Sequence, residues 1–161
     1  MKKNNTIRDA SNIQIGYIGG GSRAWARNLM NDLAKEKEIA GCVRLYDIDK
    51  ESAKLNEKIG NQLSARDDVV GKWEYKACDK IQDALVDADF VFVSILPGTF
   101  DDMASDVHTP EEYGIYQSVG DTTGPGGIIR SLRTLPKGHS LFFCNGRIGS
   151  TEFECVQIAS C

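Results

Sequence analysis

The sequence predicts an α/β domain, a doubly wound parallel sheet with helices on both faces. Three observations predict it. Strand-like segments recur at 13–18, 43–46, 73–78 and 90–96. Amphipathic helical stripes separate them. A glycine-rich turn, Gly19-Gly20-Gly21-Ser22, follows the first strand directly. Alternating strand and helix yields parallel strands joined by right-handed crossovers. The expected spatial order of the four strands is 3-2-1-4.

The segment Ile13–Ile18 alternates and is β-branched, which suits a strand. Trp25, Leu29 and Leu33 fall at i, i+4 and i+8, with Met30 beside them, and predict a helix over 23–37. Gly41 closes the return, and the second strand, Val43–Tyr46, ends at Asp47. Leu55, Ile59 and Leu63 mark a second helix, and Trp73–Cys78 reads as the third strand. Ile81, Ala84, Leu85 and Ala88 suit a short third helix. The segment Phe90–Leu96 is apolar almost throughout, as expected of a strand buried on both faces of a parallel sheet. Pro97 and Gly98 end it. The stretch from Thr99 to Gly127 is glycine-rich and weakly periodic, and reads as a long functional loop. Ile128–Leu135 starts a helix that Pro136 is expected to stop. Beyond Lys137 the texture changes. Ser140–Cys144 is at best a short strand, and Gly149–Cys161 has no clear period.

Composition narrows the function classes. The 161 residues suffice for one domain with a sizeable core. A net charge of −4 gives no electrostatic pull toward nucleic acid or anionic lipid. The start is polar and lacks the apolar core of a secretory signal. No apolar run nears the ~20 residues of a membrane span, so a cytoplasmic location is the default. The five cysteines are odd in number and lack Cys-x-x-Cys spacing, which suggests neither a disulfide framework nor a zinc knuckle. Three of them, Cys144, Cys155 and Cys161, fall in the final segment, which sets it apart from the body. His108 is an acid–base candidate by residue type alone, and a surface histidine is the plainer reading.

The turn carries the chemistry. Gly19 to Ala24 fits G-x-G-x-x-A between a strand and a helix, the context a dinucleotide-binding, Rossmann-like domain requires. Gly19 permits the tight turn, Gly21 lets a pyrophosphate approach the backbone, and Ala24 lets helix and strand pack closely. The helix start offers N–H groups to the phosphates, with Ser22 and Arg23 at its mouth. Asp47 can accept hydrogen bonds from both ribose hydroxyls and would repel a 2′-phosphate, so NAD is preferred to NADP. Leu96 and Pro97, where the fourth strand ends, complete the expected cofactor contacts. A sharp turn without cofactor and a solvated Asp47 are the plain alternatives.

Two further segments, Ile95–His108 and Tyr113–Gly127, resemble family 4 glycoside hydrolases, most closely the α-galacturonidase branch. The run Gly120-Asp121-Thr122-Thr123-Gly124-Pro125-Gly126-Gly127 is the most specific part, and the resemblance covers about 13–136. It implies glycoside cleavage by an NAD-dependent route rather than by a carboxylate pair. Such enzymes oxidise C3 of the sugar, remove the C2 proton with a tyrosine, eliminate the aglycone, add water and return the hydride. A divalent metal, usually manganese, polarises the C2 and C3 oxygens. The resemblance also implies that Asp121 modulates the tyrosine base. A substrate-binding arginine of the phosphosugar-specific members is replaced here by Leu96, so a uronic acid glycoside is the expected substrate.

The family is expected to continue past Pro136 with a helix, a fifth strand, metal-ligand cysteine and histidine, and the tyrosine. Cys144, Cys155 and His139 do not lie in those contexts, so the chain is assigned no metal ligand and no catalytic base. The organisation expected is a polar segment 1–12, an NAD-binding domain 13–136 forming the first half of the family fold, and a tail 137–161 from a shifted reading frame or an unrelated terminus. Without a native fifth strand, Phe90–Leu96 would present an unpaired, association-prone edge. A homo-oligomer is compatible with this. The expected function is the NAD-binding part of such a glycosidase, inactive alone. The alternatives are a non-catalytic dinucleotide-binding module and a lactate- or malate-type dehydrogenase, and the Gly120–Gly127 run disfavours the latter.

Overall fold

The structure, a computed structural model, describes residues 10–96, 98–117, 124–146 and 154–157, the last segment and 136–146 as backbone alone. The elements run β1 (Ile13–Ile18), α1 (Trp25–Leu33), β2 (Ala40–Tyr46), α2 (Lys50–Ser64), β3 (Lys72–Cys78), α3 (Ile81–Leu85), β4 (Phe90–Val93), α4 (Phe100–His108), a 3-10 turn (Thr109–Tyr113), α5 (Gly124–Gly146) and β5 (Glu154–Gln157). All strand pairs are parallel, in the order β3-β2-β1-β4-β5. The expected 3-2-1-4 order is therefore present, with one strand added.

The two-residue strand period sorts the core. Ile15, Tyr17, Val43, Leu45, Trp73 and Tyr75 pack with Ala26, Met30 and Leu33 of α1 in one buried cluster. Ile18 and Val91 face the other way, onto Ala84, Leu85 and Ala88. Tyr17 and Phe92, paired in register across β1 and β4, stack with ring centroids 6.0 Å apart.

α1 and α3 bury the faces that their apolar residues mark, but α2 does not. In α2 the buried residues are Ala53, Asn56 and Gly60, while Leu55 is 49% exposed. The cause is close approach. A Cβ on Gly60 would lie 2.5 Å from the Tyr75 ring, so small residues must face the sheet and Leu55 is turned outward. Asn61, one residue on, accepts a hydrogen bond from Tyr75 N–H at 3.0 Å and donates to the Tyr75 carbonyl at 2.8 Å. It occupies backbone groups on the outer strand that would otherwise invite another strand.

Four expectations need correction. The fourth strand ends at Val93 rather than Leu96, because its partner β1 stops at Ile18; Ser94 N–H makes the last bond, to the Ile18 carbonyl. The stretch 99–127 is not one long loop. Thr99 and Asp102 form a reciprocal capping box that starts α4, and Pro110 opens the 3-10 turn. Pro136 does not stop α5, which runs to Gly146 and takes in Ser140–Cys144 as helix. A proline removes a single N–H donor, and a long helix spans that local loss. Finally, β4 does not present a bare edge, since Glu154–Gln157 pairs with Phe90–Val93. Parallel pairing is made by backbone groups, so a short segment without strand periodicity can supply it.

Burial gives this core a pH dependence. Desolvation raises the Tyr75 hydroxyl well above its ordinary value. The unfolded chain releases that proton first as pH climbs, so the contribution is intact below about pH 10 and falls away above it. We expect alkaline unfolding, followed by circular dichroism, to begin above the ordinary tyrosine range. Tyr75→Phe should move its midpoint to higher pH, and an unmoved midpoint would contradict this.

Candidate dinucleotide site

The glycine turn sits where β1 ends, between β2 and β4. Gly19 and Gly20 both donate their N–H groups to the Tyr46 carbonyl at 2.9 Å, and Ser22 N–H closes the turn on the Gly19 carbonyl at 3.0 Å. Gly19 has φ of +92°, and any Cβ there would collide with the Ser94 carbonyl. The Ser22 hydroxyl accepts a hydrogen bond from Trp25 N–H at 3.1 Å and so caps the entry to α1.

Asp47 lies beside this turn at the end of β2. Its Oδ2 accepts from Gly21 N–H at 2.8 Å, and its Oδ1 accepts from Asp49 N–H at 3.0 Å. A carboxylate has about four acceptor positions, so these two bonds leave room for ribose hydroxyls. Gly21 has a second reason to lack a side chain. A Cβ there would lie 2.9 Å from both Asp47 Oδ2 and Ser52 Cβ. The glycine thus lets Asp47 close onto the turn, apart from any access it gives to a phosphate.

Asp49 begins α2, accepting from Ser52 N–H at 3.1 Å and from the Ser52 hydroxyl at 2.7 Å. Those bonds to Ser52 hold its carboxyl below the ordinary carboxylate value. Arg23 is exposed at the turn's mouth.

Sequence reasoning missed Asn56. It is fully buried under the turn, donating from Nδ2 to the Gly20 carbonyl at 2.8 Å and to the Ser22 carbonyl at 3.0 Å. Its Oδ1 accepts from Arg27 Nε at 3.0 Å. The only sequence signal was an asparagine next to the apolar stripe of α2, which reads equally well as a solvent-facing residue.

The remaining expected positions are less enclosed or lie elsewhere. Leu96 is 41% exposed after β4. Pro97 and Asp121 lie outside the described residues. His108 is exposed and contacts Glu111 at 3.2 Å, as a surface histidine would. Between α4 and α5, buried Asp106 contacts the guanidinium of Arg133, with Arg130 Nε 4.0 Å away. The inward face of α5 is therefore built of charge, while Ile128, Leu132 and Leu135 point outward. Among the described residues, no cluster of three or more histidines, cysteines or carboxylates is placed to hold a metal. No described helix is long and apolar enough to cross a membrane.

Comparison with known proteins places this geometry. The model of the family 4 glycosyl hydrolases matches residues 14–140. An α-galacturonidase of Thermoanaerobacterium saccharolyticum is 68% identical over 124 residues, covering 77% of this chain and 27% of that protein. One from Bacillus subtilis is 54% identical over 130 residues, covering 81% and 28%. A crystal structure of a Bacillus subtilis glucosidase, lplD, superimposes with a TM-score of 0.79 at 48% identity, covering 91% of this chain and 32% of that one. A Thermotoga maritima 6-phospho-β-glucosidase, solved with manganese, NAD⁺ and glucose-6-phosphate, gives a TM-score of 0.72 at 25% identity, covering 91% and 34%. The chain thus spans about a third or less of the proteins it matches.

Proposed function

The chain belongs to the family 4 glycosyl hydrolases, and on that premise we propose that it is the NAD-binding amino-terminal part of an α-galacturonidase-like enzyme. The observation that carries the reading is the carboxylate of Asp47 closed onto the Gly19–Ser22 turn at the carboxyl ends of parallel strands. Ligands of open α/β sheets bind at that edge. The residues fit a dinucleotide. Three successive glycines hold the turn close against the strand ends, the Ser22 hydroxyl is engaged with α1, and Asp47 keeps acceptor capacity for ribose hydroxyls. The NAD⁺ and manganese named for the Thermotoga maritima relative support the same cofactors for the family.

When bound, NAD supplies reversible hydride acceptance. The residues of this chain hold and orient it. Asp47 would take the adenosine ribose, and the backbone of Gly19, Gly21, Ser22 and Arg23 would line the pyrophosphate. Leu96 would border the cofactor beyond β4, and Pro97 is proposed with it from the sequence alone. The Asp121 carboxyl would modulate the tyrosine base that the family resemblance implies. The substrate class is a uronic acid glycoside, in keeping with the names of the relatives at 54% and 68% identity.

Asp47→Ala should weaken NAD⁺ binding by roughly 1–3 kcal/mol, the usual cost of losing hydrogen bonds to a charged group. Calorimetry on material shown by circular dichroism to be folded measures this. Unchanged affinity would remove Asp47 from the site.

We further propose that the tail 137–161 differs from the family's own continuation. What supports this is that the family model's match runs over residues 14–140 and takes in little of that tail. Translating the coding DNA beyond the Pro136 codon in all three frames tests it. A frame that restores the family's continuation is the expected result, and its absence from every frame would count against the proposal.

A further inference from the structure

We infer that Asn56 is the residue that fixes the glycine turn and aims the Arg23 amide, at the start of α1, at the dinucleotide phosphates, an inference that rests on the cofactor reading above. Its side chain is 0% exposed, and an asparagine so buried must have its polar atoms satisfied. Its side-chain hydrogen bonds go to the turn and to α1. Nδ2 donates to the carbonyls of Gly20 and Ser22, and Oδ1 accepts from Arg27 Nε. The orientation of the amide follows from these partners, because two carbonyls can face only the NH₂ and a guanidinium can face only the oxygen.

The peptide bond transmits this grip. The peptide bonds of the described residues are trans, so each carbonyl points opposite the N–H that follows it. Asn56 draws the Gly20 carbonyl inward, and the Gly21 N–H on the same plane meets Asp47 Oδ2 at 2.8 Å. That peptide is held at both ends. Asn56 also draws the Ser22 carbonyl inward, which turns the Arg23 N–H outward at the start of α1. An N–H so placed is one of the donors that a helix start offers to an anion. The Arg27 bond holds the amide in register with α1, so turn and helix move as one unit. Asn56 is a positioning residue and touches no ligand itself.

The test compares ligands with and without the pyrophosphate. Asn56→Asp keeps the shape and the Arg27 partner but sets a carboxylate against two carbonyls. NAD⁺ and ADP-ribose should bind about ten-fold or more weakly to this variant, while adenosine, which meets Asp47 alone, should change by less than about three-fold. Arg27→Met, which leaves Asn56 in place and frees its oxygen, should show the same selective loss in smaller measure. It carries the test if Asn56→Asp does not fold. Amide NMR of the full chain gives an independent readout, in which the Arg23 resonance should shift in the ligand-free variant. Equal loss for all three ligands at equal folded fraction, unchanged NAD⁺ affinity, or an unmoved Arg23 resonance would overturn the inference. If the wild-type chain ignores NAD⁺, the cofactor reading fails and takes the inference with it. If the wild type binds and the variants bind equally well, the inference alone fails.

Discussion

Gly19→Ala is expected to destabilise the domain itself rather than merely weaken a ligand. The backbone there has φ of +92°, a region an L side chain rarely adopts, and the new Cβ would run into the Ser94 carbonyl. Both partners are backbone, and both are fixed. Gly19 N–H is bound to Tyr46, and Ser94 N–H is bound to Ile18. Neither strand can yield without breaking the β1–β4 pairing. The strain alone costs of order 1–3 kcal/mol, and the collision adds to it. A domain of this size has about 5–15 kcal/mol in total. A loss of at least about 3 kcal/mol in urea unfolding is therefore the expected result. Gly114→Ala is the matched control. Its φ is +74°, but nothing lies within 4 Å of the added Cβ, so it should show only the backbone strain. Equal, small effects at both positions would mean that β4 does not approach the turn as described.

The second large effect is in catalysis. The purified 161-residue chain, given NAD⁺, Mn²⁺, a reductant and a digalacturonate-type substrate, should release no galacturonate beyond a mock preparation. The proposal behind this assigns the 161 residues a site for the oxidant but no metal ligand and no tyrosine base. Hydrogen transfer without C2 deprotonation leaves the glycosidic bond intact. Rate enhancements of ~10⁶ or more depend on such groups acting together, so their loss is not a modest decrement. Turnover clearly above the mock would overturn the assignment of roles.

The strands were legible because a sheet buried on both faces imposes a two-residue sorting that no helix reproduces. Ile15 and Tyr17 lie in one cluster and Ile18 in the other, as their spacing requires. Helix faces were less legible. In α2, Leu55 marked a face that the structure turns outward, because contact with Tyr75 demands Gly60 there instead. The start of α4 was written in the sequence as Thr99 and Asp102 three residues apart, but glycines on either side hid it. At the site, Gly19, Gly21 and Asp47 were legible because backbone geometry dictates those residue types. Asn56 was not, since its role depends on α2 folding back beneath a turn 34 to 36 residues earlier in the chain. The pairing of Glu154–Gln157 on β4 was also hidden, as it depends on where α5 delivers the chain and not on a local pattern.

Asp47 and the Gly19–Ser22 turn are proposed to form an NAD site. Calorimetric titration of the folded chain with NAD⁺ and, separately, NADP⁺ tests it most directly. The Asp47 carboxylate would repel a 2′-phosphate, so saturable one-to-one NAD⁺ binding that is tighter than NADP⁺ binding is the predicted result. No saturable NAD⁺ heat, or NADP⁺ binding as tight as NAD⁺, would contradict it.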